Sequence, residues 1–306
     1  MKNIIISGAS GFIGSQFINH IINKNKQIKI YAIINRNKNF FHKNARLKIL
    51  KLDLTKKINK SLFPEKIDYI FHLAGIRQTY LTDVKASNQI KNNYLMTFNL
   101  LELARCLRVK NFIFTSSVYV YSGSKEKKFK ENIFINPKES LGISKYMSEK
   151  LIEYYSNHYQ IKSIIFRLST TYGKNSSSSQ FIPIVLKKLL NSSPKVCFDR
   201  LGFKRDFIYI ADVSNILYES IKRIKNIKKQ LITLNLSYGA SINTRELIIK
   251  IANLLHFNTD NLILKNALSK KTDFDHIVPN TKLKNFFIYR PRYSIDKGLN
   301  SLIQDE

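Results

Sequence analysis

Gly8, Gly11 and Gly14 stand at the spacing of a phosphate cradle. The first permits a tight turn, and the second lets a pyrophosphate approach the backbone. The third allows a helix to pack closely on the strand before it. Asn3-Ile4-Ile5-Ile6-Ser7 reads as that strand and Phe12-Ile13-Gly14 as the start of that helix. Unpaired N–H groups and the helix dipole then meet the negative charge. A glycine triplet alone is weak evidence; the strand before it and the helix after it favour dinucleotide binding over an ordinary turn.

The end of the next strand-like run bears on which dinucleotide. A carboxylate there would accept the adenosine ribose hydroxyls, but the chain has Asn35 followed by Arg36. Asn35 is neutral and Arg36 can meet a 2′-phosphate, which favours NADP and leaves NAD as the alternative. Arg36 reads equally as one more surface cation. Asp53, after the third run, is placed to hydrogen-bond adenine or to cap a helix that starts near Thr55. The two cysteines, Cys106 and Cys197, lie far apart in neither metal-ligand nor redox spacing, so no metal is expected and a reducing cytoplasm is the default.

The elements that must position these groups are legible in the pattern of apolar residues. Strand-like runs at residues 3–7, 28–34, 47–52, 69–73, 111–115 and 163–168 alternate with helical segments, clearest at 14–23, 88–107 and 144–159. That order predicts an α/β fold, a doubly wound parallel sheet of Rossmann type. After Tyr172 the pattern loosens into a polar loop at 176–179, a helix at 181–190 and shorter pieces. The expected division is a dinucleotide-binding domain over 1–172 and a smaller substrate-binding domain over 173–306, with segments near 203–225 returning to the first.

The 306 residues carry 51 Lys plus Arg against 21 Asp plus Glu, a formal charge of +30. Such a charge raises nucleic acid as a partner. The basic residues are spread over many segments and lack the interleaved aromatics of a single-strand track, so the reading is a solvated surface that attracts anionic small ligands. No apolar run reaches the roughly 18–20 residues that a bilayer span needs, and a membrane partner is not expected.

At this point the chain resembles the extended short-chain dehydrogenase/reductase family, the NAD(P)-dependent epimerase/dehydratase group that acts on nucleotide sugars. The resemblance rests on the glycine turn and on His72-Leu73-Ala74-Gly75, similar to the family's loop over the cofactor. It rests also on the helix around Asn93, on Thr115-Ser116-Ser117-Val118-Tyr119, and on Lys204-Arg205-Asp206-Phe207-Ile208-Tyr209. It implies nucleotide-sugar metabolism, a nucleotide-sugar substrate and a homodimer. It also implies cofactor contacts from Phe12, Ile13, Leu54, Leu73, Ala74 and Lys145 beside the residues already named.

The catalytic roles come from the same resemblance. Ser117 is the hydroxyl that holds the reacting sugar oxygen, Lys145 the lysine of the YxxxK pattern, and Asn93 the asparagine of its helix. Arg205 and Thr170 are the residues set to bind the substrate's diphosphate, with a salt bridge to Asp206 as the structural alternative for Arg205. The tyrosine that moves the proton is missing: Leu141-Gly142-Ile143-Ser144-Lys145 stands where the family has Tyr-Gly-x-Ser-Lys. Three readings stay open. Tyr119, expected on the same strand face as Ser117, takes over the proton; water does so slowly; or the protein binds without catalysis, as a sensor or scaffold. Val118-Tyr119 occupies the place of the dehydratases' Asp-Glu pair, which leaves epimerisation or ketoreduction as the expected reaction.

Overall fold

Along Lys2–Ser7 (β1) the side chains alternate between two cores, Ile4 and Ile6 entering one hydrophobic cluster and Ile5 the other. Successive strand residues point to opposite faces, so an unbroken run of isoleucines requires both faces to be covered. The computed structural model describes residues 1–35, 44–77, 85–191, 195–266 and 275–304. In it β1 lies inside a parallel sheet. Ile28–Ile34 (β2) and Leu47–Lys51 (β3) follow on one side. Tyr69–His72 (β4), Asn111–Ser117 (β5) and Lys162–Leu168 (β6) follow on the other. The order β3-β2-β1-β4-β5-β6 is that of a doubly wound dinucleotide-binding sheet.

Phe12–Lys24 (α1) covers one face; Ala86–Cys106 (α2) and Ser140–His158 (α3) pack together on the other. The strand order reverses between β1 and β4, and the crevice there opens at the carboxyl ends of the strands, where ligands of such sheets bind. Most of the expected boundaries move by one or two residues, and one moves further. β5 runs on to Ser117, and α3 begins at Ser140, four residues before the expected start.

The later chain builds smaller pieces and also returns to the sheet. Thr170–Tyr172 (β7), Phe181–Asn191 (α4), Val196–Leu201 (β8) and Lys204–Tyr209 (β9) are followed by Ile210–Arg223 (α5), which packs against α1. Leu231–Leu236 (β10) then pairs in parallel with β6 as the seventh strand of the sheet. Ser241–Asn243 (β11) runs antiparallel to β9, which also pairs with β7. Leu262–Asn266 (β12) pairs with β8. Among the described residues no helix is long and apolar enough to cross a membrane, and no cluster of three metal-ligating side chains occurs.

Candidate active site

The glycine turn has the geometry that an anion cradle needs. Gly8 has φ +69°, and a Cβ on it would lie 2.6 Å from the Ala74 nitrogen; a Cβ on Gly14 would run into the Gly8 carbonyl oxygen. Side chains are thereby excluded from the inside of the turn. Gly11 caps α1 with no side chain bonded to the first N–H groups of the helix, which suits a pyrophosphate. These residues fit a bound dinucleotide.

A buried polar chain fixes the turn. The Ser7 hydroxyl accepts the Ala74 N–H at 3.3 Å and bonds His72 Nδ1 at 2.9 Å. His72 Nε2 meets Thr97 Oγ1 at 3.0 Å, and Thr97 donates to Ser148 at 2.9 Å. Burial, with Lys145 adding to it, holds the His72 pKa well below its ordinary value. The ring is neutral, so one nitrogen donates and the other accepts. β1, β4, α2 and α3 are linked through this chain.

At the adenosine end, Asn35 is exposed just beyond β2, whereas Arg36 lies outside the described residues. Asp53 is exposed, and its Oδ1 accepts the Thr55 N–H at 3.0 Å and the Thr55 hydroxyl at 2.7 Å. Those bonds lower its pKa, and they close a turn where a helix start was expected, so Asp53 caps no helix. The Leu54 side chain is buried in the core with residues of β1 and β4, and its carbonyl accepts from Asn99 at 2.9 Å. Ala74 packs beside the same cluster, with its N–H committed to Ser7.

A cleft of about 610 Å³ begins at Phe12, Ile13 and Leu73 and runs past Ser117, Tyr119, Leu141 and Lys145 to Thr170 and Arg205. Ser117 ends β5, and its Oγ accepts the Tyr119 N–H at 3.2 Å. A hydroxyl that accepts there keeps its own proton to donate into the cleft. Tyr119 reaches the cleft by a different route from the one expected. The strand stops at Ser117, and Val118–Tyr121 forms a 3₁₀ turn, so the shared strand face does not exist. The Tyr119 ring packs against His276, with centroids 5.5 Å apart, and under the guanidinium of Arg77 at 6.0 Å.

Lys145 Nζ donates to the Thr115 carbonyl at 2.7 Å and lies 4.6 Å from the centre of the Phe114 ring. Burial lowers its pKa to about 8, with Glu149 opposing the shift. Leu141 lines the cleft one turn earlier on α3.

Asn93 sits behind this wall. Its Oδ1 accepts the Ile76 N–H at 2.7 Å, and its Nδ2 donates to the Ile76 carbonyl and to Ser144 Oγ, each at 3.0 Å. Such a clamp positions the loop after β4 against α3, and the described cleft lining does not include Asn93.

On the substrate side, Asp206 points away from Arg205. It is fully buried, and its carboxylate accepts the N–H groups of Tyr238 at 2.9 Å and Gly239 at 2.7 Å. Adjacent strand residues face opposite sides, which removes the salt-bridge alternative for Arg205. The Arg205 guanidinium instead donates to Nε2 of His276 at 3.1 Å.

Three groups around the cleft had little or no signal in the sequence. His276 lies 71 residues after Arg205. Arg77 follows a loop of ordinary composition. Glu149 and Arg167 form a buried pair at 2.7 Å, and Glu149 also accepts from Ser116 at 2.5 Å, directly beside Ser117. Only the helical spacing of Lys145 and Glu149 hinted that the latter faces inward.

Solved structures share this architecture. The dTDP-glucose 4,6-dehydratase of Bacillus anthracis in complex with NAD superposes with a TM-score of 0.84 at 19% identity, covering 99% of this chain and 96% of that one. The UDP-glucose 4-epimerase of Thermotoga maritima with UDP-glucose superposes at 0.83 with 20% identity, covering 99% and 97%. In sequence, human dTDP-D-glucose 4,6-dehydratase is 28% identical over 237 residues, which are 73% of this chain and 67% of the relative. The sequence model of the NAD dependent epimerase/dehydratase family matches residues 4–235, from within β1 to within β10, and the chain belongs to that family.

Proposed function

We propose that the protein is an NAD(P)-dependent oxidoreductase or isomerase of a nucleotide sugar, of the epimerase or ketoreductase type. The observation that carries this reading is the shared cleft: the start of α1, then Ser117 and Lys145, then Thr170 and Arg205 line one continuous cavity. Relatives named as acting on UDP- and dTDP-glucose support the substrate class. A bound nicotinamide supplies hydride transfer. The chain's own residues do the rest. The cradle holds the pyrophosphate, and Lys145 donates to the nicotinamide ribose. Ser117 holds the reacting sugar oxygen, and Arg205 grips the diphosphate through its planar fork of donors. Thr170 adds one hydrogen bond where an amide would add two. Tyr119 moves the proton that Leu141 cannot.

Residues 1–172 are read as the cofactor side and 173–306 as the substrate side. NADP is favoured over NAD, since neutral Asn35 leaves the ribose without a carboxylate partner. A homodimer is supported by the outer face of α2 and α3, where Phe98, Met147 and Tyr154 are exposed. The free cysteines suit the cytoplasm, and the dispersed positive charge suits anionic nucleotides better than nucleic acid.

A second reading has one observation in its favour. Leu141 puts an apolar side chain in the cleft where a proton carrier is needed, so a nucleotide-sugar binder without turnover would look the same. Mass spectrometry of ligands released from the purified protein, followed by a hydride-exchange assay with the sugar identified, tests both. Turnover supports the enzyme. Tight binding of dinucleotide and sugar without any exchange supports the binder, and binding of neither overturns the proposal.

A further inference from the structure

We propose that His276 is a positioning residue that aims the Arg205 guanidinium into the cleft by accepting one of its N–H groups at Nε2. The inference rests on the reading of Arg205 as the diphosphate ligand.

Arg205 lies on β9 and lines the cleft, and its Nη1 donates to His276 Nε2 at 3.1 Å. An arginine has five N–H donors and no acceptor, so a fixed acceptor on one side turns its remaining donors towards a ligand on the other. His276 is suited to be that acceptor because its backbone is itself fixed. Its N–H donates to the Lys204 carbonyl at 2.8 Å, and its carbonyl accepts from Ser241 at 2.7 Å, which ties it to β9 and to β11. The preceding Asp275 accepts the Lys204 N–H at 2.7 Å. The imidazole is fully buried and meets the Tyr119 ring nearly edge-on, at an interplanar angle of 87°. One ring therefore contacts both the arginine set to bind the diphosphate and the tyrosine set to move the proton.

Charge keeps the ring in the required form. Burial, then Arg205, then Arg77 push the His276 pKa well below its ordinary value. A protonated imidazole would lose its acceptor and add a third cation beside two guanidinium groups. The neutral ring that accepts at Nε2 carries its proton on Nδ1.

Two substitutions separate the acceptor from the ring. His276→Phe keeps an aromatic ring against Tyr119 and removes the acceptor. His276→Gln removes the ring and keeps an acceptor oxygen at a similar reach. The probes are UDP-glucose and dTDP-glucose, titrated calorimetrically into the protein saturated with its dinucleotide. His276→Phe is expected to weaken binding roughly tenfold, as loss of a hydrogen bond to a charged group does. His276→Gln is expected to restore most of it. In a double-mutant cycle, Arg205→Leu combined with His276→Phe should lose no more than Arg205→Leu alone.

Additive losses, or equal losses for Phe and Gln, would overturn the inference. Loss on Arg205→Leu with none on His276→Phe would keep the reading of the cleft and reduce His276 to packing. Failure of the wild type to bind either probe would overturn the reading of Arg205 and the inference with it. ¹⁵N NMR of the ligand-free wild type is independent of any variant's folding. A neutral ring protonated at Nδ1 is expected, and a proton on Nε2 would exclude the acceptor role.

Discussion

Leu141 and Lys145 stand one helical turn apart on α3, and both side chains line the same cleft. The lysine is retained with a buried ammonium group bonded to Thr115, whereas the position that should carry a phenol carries a hydrocarbon. On the reading of the protein as an enzyme, proton transfer comes from elsewhere in the cleft, and Tyr119 is a phenol that lines it. Tyr119→Phe is expected to lower turnover by about 10²–10⁴-fold with dinucleotide affinity unchanged, since only a hydroxyl is removed. Leu141→Tyr should then add little. Following reduced nicotinamide by its absorbance checks both; full activity in Tyr119→Phe would leave water as the proton carrier.

The cradle makes a second prediction. Gly11 caps α1 where a pyrophosphate would meet the first N–H groups, and Gly11→Asp puts a carboxylate in that place. Dinucleotide affinity should fall by at least about tenfold, the effect of roughly 1.4 kcal/mol of repulsion and competition for those donors. Calorimetry on the folded variant measures it. An unchanged affinity would mean that the dinucleotide does not lie on this helix.

Arg36 gives the cofactor test. Arg36→Gln should weaken NADP more than NAD, because only the former carries the 2′-phosphate that a guanidinium can hold bidentately. The ratio of the two dissociation constants is the readout. Equal losses would make Arg36 a surface cation.

Lys145 gives a pH signature. Its folded pKa, about 8, is below its ordinary 10.5, so the folded state holds fewer protons than the unfolded state between those values. Stability contributed by this group therefore rises from about pH 8 to 10.5 and is constant below pH 8, where both states are charged. Urea unfolding of wild type against Lys145→Met should show the wild type gaining by up to about 3 kcal/mol across that window. Dinucleotide affinity should fall over the same range, as the donor to the ribose loses its charge. A difference between the two proteins that is flat with pH would mean Lys145 titrates normally.

The Glu149–Arg167 pair supports the floor of the cleft, and each side chain is only 6% exposed. Glu149→Ala leaves a buried guanidinium with its remaining contacts to Tyr121 and the Glu131 carbonyl. A loss of about 3–5 kcal/mol in unfolding free energy is expected, read from denaturant midpoints. A loss under about 1 kcal/mol would show that water reaches the site.

Much of this architecture is written in local pattern. β2 spans the residues that its apolar run marks, because a strand buried on both faces leaves no ambiguity of period. The glycine turn was legible because φ and close approach at Gly8 and Gly14 are demands that sequence exposes directly. The route by which Tyr119 reaches the cleft is not legible, since nothing in the run Thr115 to Tyr121 marks where strand gives way to a 3₁₀ turn. Asn93 and His276 mark the limit. Whether an amide faces a ligand or a neighbouring loop, and which distant histidine meets Arg205, is decided by packing between elements far apart in the chain.

The late arrival of β10 bears on how the protein is made. A ribosome that has released residues up to Leu168 has supplied six strands, yet the partner for the outer side of β6 lies at Leu231–Leu236. Until those residues emerge, the nascent chain presents an open strand edge rich in isoleucine, the kind of surface that pairs with neighbouring chains. While the stretch between β6 and β10 is translated, that edge of β6 has no partner from its own chain, and a pause there lengthens its exposure.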